Sequence, residues 1–182
     1  MATQPTPQQV IEGQKQDWNR VAGGWEKWDR LFEAQMAFVN HRLVADARLH
    51  EGLRVLDLGS GTGYPALLGA QVVGQAGSVV GMDLAEQMLA AAERKAKRLG
   101  LTNVSFKTGD VTSLPFDANT FDAVTSRFCL MFLPEIPKAA AEPTPRMDAK
   151  TIAEANVAKS FVIATFHHVG PMEGKVRPNI WP

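Results

Sequence analysis

The stretch VLDLGSGTG, residues 55–63, sets an apolar run, one carboxylate and three glycines in nine positions. LRVLDLG, residues 53–59, reads as a buried parallel strand ending in glycines, and YPALLGAQVVG after it reads as a helix. Gly59, Gly61 and Gly63 therefore sit at the carboxyl end of a strand, where ligands bind in doubly wound sheets. Without side chains they let the backbone turn sharply and let a ligand lie against it. Their spacing separates two ligand classes. A dinucleotide fingerprint reads G-x-G-x-x-G and sets a pyrophosphate on a helix N-terminus, whereas here the glycines fall at every second position, which favours a ligand without pyrophosphate.

Downstream the alternation repeats. SVVGMD, residues 78–83, reads as a strand, and AEQMLAAAERKAKRLG, residues 85–100, as a helix closed by Gly100. VSFKTGD and FDAVTSRF read as two further strands; a helix at DAKTIAEANVAK, N-capped by Asp148, precedes a last strand at SFVIATF, residues 160–166. Strands and helices alternating at this spacing predict an α/β fold with a parallel sheet covered on both faces. Asp83 ends the second strand 20 residues after Gly63, where a carboxylate can accept both hydroxyls of a ribose. A nucleoside ligand follows.

Upstream, residues 1–9 read as a disordered leader of Gln, Thr and Pro. Residues 10–50 turn helical, with Trp18, Val21, Trp25 and Trp28 recurring at spacings of three and four, and Gly23–Gly24 are expected to divide the region into two helices. Leu31, Phe32, Met36, Val39 and Leu43 mark a second amphipathic segment. The expected organisation is a helical lid over residues 10–50 on a cofactor-binding α/β unit, residues 51–182, the two forming one domain. Trp25, after the glycine pair, is the expected lid residue, with Trp18 and Trp28 in the core.

Composition excludes other classes. Lys plus Arg equals Asp plus Glu at 19 each, so no net field favours nucleic acid or an anionic membrane. The run ERKAKR, residues 93–98, reads as a charged helix face. One cysteine, Cys129, permits neither an internal disulfide nor a zinc finger; no metal site is expected, and its apolar surroundings predict a buried, inert thiol. The polar N-terminus lacks the form of a signal peptide, and no apolar run approaches the ~20 residues of a membrane span. A cytoplasmic protein is expected.

Three pieces, VLDLGSGTG, VVGMDLAEQML and VSFKTGDVTSLPFDANTFDAVTSRFCLMFL, together resemble the class I S-adenosylmethionine-dependent methyltransferases in order and spacing. WNRVAGGWEKW resembles the aromatic N-terminal helix of the small-molecule branch related to ubiquinone and menaquinone biosynthesis enzymes. The resemblance implies a Rossmann-like sheet of order 3-2-1-4-5, S-adenosyl-L-methionine as cofactor, S-adenosyl-L-homocysteine as product and a small-molecule methyl acceptor. It assigns Gly59, Ser60 and Gly61, with Gly63 completing the loop, to the methionine part, Asp83 to the ribose, and Met82 and Leu84 to the adenine faces. Asp110 would accept from the adenine amino group, with the Val111 backbone beside it. Asp57 would hold the glycine loop or reach the cofactor's amino group through water, and Arg127 and Phe128 would line the floor.

The resemblance ends after Lys138, where the family's usual loop before the fifth strand and its antiparallel sixth and seventh strands have no counterpart. The expectation is a fragment, an altered C-terminus, or a homodimer completing the sheet through an exposed edge. His167 and His168 follow the last strand, and one of them is a candidate base; adjacent strand residues point to opposite faces, so at most one faces a given pocket. Two other classes share these features: a cofactor-binding module without catalysis, and an NAD-dependent oxidoreductase, which the glycine spacing and Asp110 disfavour.

Overall fold

The computed structural model describes residues 5–117 and 120–133 and the backbone of a strand at 163–167. Two N-terminal helices, α1 (Pro7–Lys27) and α2 (Asp29–Asp46), precede β1 (Arg54–Leu58), α3 (Ala66–Val73), β2 (Ser78–Asp83), α4 (Glu86–Arg98), β3 (Val104–Thr108), β4 (Ala123–Arg127) and β5 (Ile163–His167). The sheet order is β3-β2-β1-β4-β5. β1 pairs in parallel with β2 and β4, so chain direction reverses its march across the sheet at the β1–β4 boundary. A crevice at the carboxyl ends of those strands is the standard ligand site of such a sheet.

The strands alternate faces. Val55, Val79 and Ala123 pack beneath Ala66, Ala70 and Val73 of α3, while Leu56, Leu58, Met82 and Val124 form a second core on the opposite face. Helices were expected on both faces. Among the described residues that second core is instead closed by the segment after β3, through Val111, Leu114, Phe116 and Phe121.

Three expectations change. Helix α1 begins at Pro7, inside the stretch expected to be a disordered leader, because Thr6 and Gln9 form a reciprocal capping box with Pro at the first helical position. It then runs through Gly23 and Gly24 and breaks at Trp28. Each glycine costs an exposed helix only about 1 kcal/mol relative to Ala, less than packing along the helix supplies. The last strand is the third change. β5 runs antiparallel to β4, with His167 opposite Ala123 and Ile163 opposite Arg127. The predicted helix at 148–159 lies outside the described residues.

Candidate functional site

The tips of β1 and β2 are tied together. Gly59 and Ser60 donate their N–H groups to the Met82 carbonyl at 2.8 and 3.0 Å. Gly61 N–H donates to Asp83 Oδ2 at 2.8 Å, and Ala85 N–H donates to Asp83 Oδ1 at 2.9 Å. One carboxylate thus fixes the glycine loop, its own turn and the start of α4. Burial raises its pKa, and the N–H groups of Ala85, Gly61 and Leu84 pull it back down. Each oxygen keeps a second lone pair, so two ribose hydroxyls can still be accepted.

Two glycines have separate reasons to be there. Gly59 (φ +69°) has no room, since a Cβ there would overlap the Cys129 side chain. Gly61 (φ +53°) faces open space, with nothing within 4 Å of where its Cβ would be. Behind the loop, Asp57 is completely buried; its Oδ1 accepts from Thr125 Oγ1 at 2.7 Å. Its Oδ2 and Ser60 Oγ have no hydrogen-bond partner among the described residues, although they lie close enough for Ser60 to lower the acid's pKa. Burial outweighs Thr125, Ser60 and Arg127 and pushes the Asp57 carboxyl up to about 6.

A cavity of ≈ 240 Å³ opens between this loop and the N-terminal helices. Gly59, Ser60 and Gly61 line it from the loop, Asp83 and Leu84 from the β2 tip, and Val111 from beyond β3. The end of β4 contributes Arg127 and Phe128, the latter held at φ +56°, and α1 contributes Trp25. Four expected residues lie elsewhere. Met82 is fully buried in the core, so it meets the loop only through its carbonyl. Gly63 packs under Leu67 and Ala92, and Asp57 sits behind the loop. Asp110 does not line the cavity; its Oδ1 accepts from Thr112 N–H at 2.8 Å within its own turn. The antiparallel register sets the His167 backbone at the level of Ala123, the end of β4 away from the glycine loop, which removes the reason for proposing it as a base. His168 lies outside the described residues.

The lid differs from expectation too. Trp18 and Trp25 both line the cavity, with ring centroids 6.3 Å apart, and pack against Met88 of α4 and Ala85, which caps it. Trp28 is 53% exposed and forms no part of the core. Phe32, Met36 and Asn40 of α2 and Tyr64 after the glycine loop also line the cavity and were not anticipated. Helical spacing held the signal for Asn40, which falls four residues after Met36 and three before Leu43. Lys95 was missed similarly: within the charged run it lies seven residues after Met88, on the buried face of α4. It is 4% exposed and pairs with Asp29 of α2, its ammonium 4.1 Å from the Tyr64 ring centroid.

No metal-type cluster of three His, Cys, Asp or Glu occurs among the described residues. Burial pushes the Cys129 thiol up to about 12, so it stays protonated at neutral pH. What the arrangement offers is a cavity with a carboxylate at one strand tip and a glycine-rich loop at the neighbouring tip. Residues 55–144 match the methyltransferase-domain family.

The chain belongs to the class I S-adenosylmethionine-dependent methyltransferases.

Its relatives agree with that placement. The chain is 34% identical over 122 residues to a demethylmenaquinone methyltransferase of Symbiobacterium thermophilum, covering 66% of this chain and 44% of that one. It is 39% identical over 103 residues to nocamycin O-methyltransferase of Saccharothrix syringae, covering 57% and 37%. A S-adenosylmethionine-dependent methyltransferase from Aquifex aeolicus superposes with a TM-score of 0.54 at 30% identity, covering 58% of each chain. The methyltransferase chain thus spans less than half the length of those two curated relatives. The family's cofactor is S-adenosylmethionine, and the residues present fit it: the open side of Gly61 and the Asp83 carboxylate, joined by a 2.8 Å hydrogen bond, belong to one crevice. No helix among the described residues is long and apolar enough to cross a membrane.

Proposed function

We propose that this chain transfers a methyl group from S-adenosylmethionine to a small-molecule acceptor held beneath the α1–α2 lid. The observation that carries the reading is the 2.8 Å bond from Gly61 N–H to Asp83 Oδ2, which brings the loop for the methionine part and the acid for the ribose to one crevice. Gly59, Ser60 and Gly61 hold the amino-acid portion through backbone and hydroxyl groups. Asp83 accepts from the ribose, and Leu84, Val111 and Trp25 supply apolar contact for the base. Bound here, the cofactor supplies an already activated methyl group. The protein therefore has little covalent chemistry to perform; Trp18, Trp25 and Phe32 exclude water and hold an acceptor in line, and proximity supplies most of the rate.

A small acceptor is supported by the names of the relatives, which act on demethylmenaquinone and on nocamycin. Calorimetry with S-adenosylhomocysteine and NAD in parallel tests the reading. S-adenosylhomocysteine alone should bind. Binding of NAD instead would make the site that of an oxidoreductase, and nucleoside binding without methyl transfer to any acceptor would reduce the chain to a binding module.

A further inference from the structure

Buried polar side chains nearly always find a partner, so those that do not need an explanation. Among the described residues, five buried side-chain atoms lack one, and three of these, Ser60 Oγ, Arg127 Nε and Asn40 Oδ1, belong to residues lining the same cavity. Ser60 lies against the buried Asp57 carboxyl. Arg127 and Asn40 are left to explain.

Arg127 ends β4 with a guanidinium that has no carboxylate within ion-pairing distance among the described residues; its one protein bond is from Nη2 to the Tyr64 carbonyl, long at 3.4 Å. Asp29, across the cavity, is already paired with Lys95. Burial lowers the Arg127 pKa, and among the described residues Asp57 is the acid that opposes this. A desolvated cation facing a cavity favours an anion there. Asn40 of α2, 3% exposed, lines the same cavity as Tyr64, and its orphaned oxygen calls for a donor. Between these polar points the walls are aromatic: Phe32 stacks on Trp25 at 4.4 Å, and Phe132 meets Trp18 edge-on at 5.4 Å. Flat apolar walls fit a planar ligand.

We infer that Arg127 and Asn40 form the acceptor site, Arg127 pairing with an ionised oxygen of a planar, largely apolar acceptor and Asn40 accepting from a hydroxyl or N–H elsewhere on it. The inference deepens the proposed methyl transfer and rests on it for the word acceptor. It also bears on the missing base, because an acceptor that binds already ionised, as a phenolate, an enolate or an aromatic carboxylate, needs no proton removed. The same oxyanion chemistry is carried by the amino-acid carboxylate of the cofactor, so the test must tell the two sources apart.

Calorimetry with 1-naphthoate and its neutral counterpart 1-naphthamide, with and without saturating S-adenosylhomocysteine, tests the charge. The wild-type chain should bind naphthoate at least tenfold more tightly; Arg127→Gln should erase the preference and Arg127→Lys should keep most of it. Equal binding of the two probes by the wild type, or a preference that survives Arg127→Gln, overturns the proposal. A second comparison, with S-adenosylhomocysteine and with methylthioadenosine, which lacks the carboxylate, identifies the source. If Arg127→Gln weakens only the former by tenfold or more, the oxyanion is the nucleoside's own and the acceptor site falls. Asn40→Leu separates structure from recognition. Removing an unpaired buried amide should raise Tm by roughly 2–4 °C while weakening naphthol binding at least threefold, and unchanged naphthol binding would remove Asn40 from the site. Failure of the wild type to bind S-adenosylhomocysteine would defeat the proposed function, whereas the naphthoate comparison without nucleoside would still judge Arg127.

Discussion

Asp83 carries the heaviest load of any single side chain. Replacing it with Ala removes the acceptor for Gly61 and Ala85 as well as the proposed ribose contact. A hydrogen bond to a charged group contributes about 1.5–3 kcal/mol, so Asp83→Ala should weaken S-adenosylhomocysteine by at least tenfold in calorimetry. Asp57 makes the opposite kind of prediction, about pH. Its carboxyl rises from 3.8 to about 6 on folding, so between those values the folded chain holds a proton that the unfolded chain has lost. This group's contribution is therefore greatest below pH 4 and is lost as pH rises toward 6, a change of up to about 3 kcal/mol. Asp57→Asn keeps the acceptor for Thr125 and should flatten the stability profile between pH 4 and 7, measured as the difference in Tm between variant and wild type. A parallel pair of profiles would show that Asp57 ionises alike in both states.

At the scale of elements, the β1–α3 turn and helix α1 use glycine for different ends. Gly59→Ala drives a methyl group into Cys129 at a left-handed backbone position and should cost about 2–4 kcal/mol of stability. Gly61→Ala, also left-handed but facing open space, should cost about 1 kcal/mol and leave the chain folded, yet put a methyl group in the proposed path of the nucleoside. Circular dichroism melts and S-adenosylhomocysteine titrations on both variants separate the roles; equal loss of binding per degree of Tm would contradict this division. In α1, Gly23 and Gly24 have no atom within 4 Å of their would-be Cβ positions. The double Ala variant should gain about 1–2 kcal/mol, roughly 3–6 °C in Tm, because an uninterrupted helix has no need of them. A loss of stability would show that the helix bends there.

Across the whole molecule, α1 and α2 are held to α4 by three cross-element ion pairs, Lys15–Glu86, Glu26–Arg94 and Asp29–Lys95. Two are at the surface, where solvent screening leaves them little net worth. Lys95 is buried, and its pKa is lowered by burial with Asp29 offsetting only part of the effect; removing it strands a carboxylate at the cavity edge. Lys95→Ala should cost about 3–5 kcal/mol and speed hydrogen exchange in α1 and α2 before it does so in β1 and β2. Uniform acceleration over sheet and helices would argue that the lid and sheet unfold as one unit. Loss of lid closure should also raise KM for the acceptor more than it lowers nucleoside affinity.

By itself the amino-acid sequence determined the β1–β2–β3–β4 core and the loop that marks it, because strand periodicity, turn glycines and the acid at the next strand end are local features separated by short, regular spacings. It equally placed Gly59, Ser60 and Gly61 in the turn that lines the cavity. Only the tertiary structure decided the direction of β5, the burial of Met82, Lys95 and Asn40, and the continuity of α1 through two glycines. Each depends on what packs against the residue from a distant part of the chain, and a side chain's environment in three dimensions outweighs its type and its neighbours in sequence.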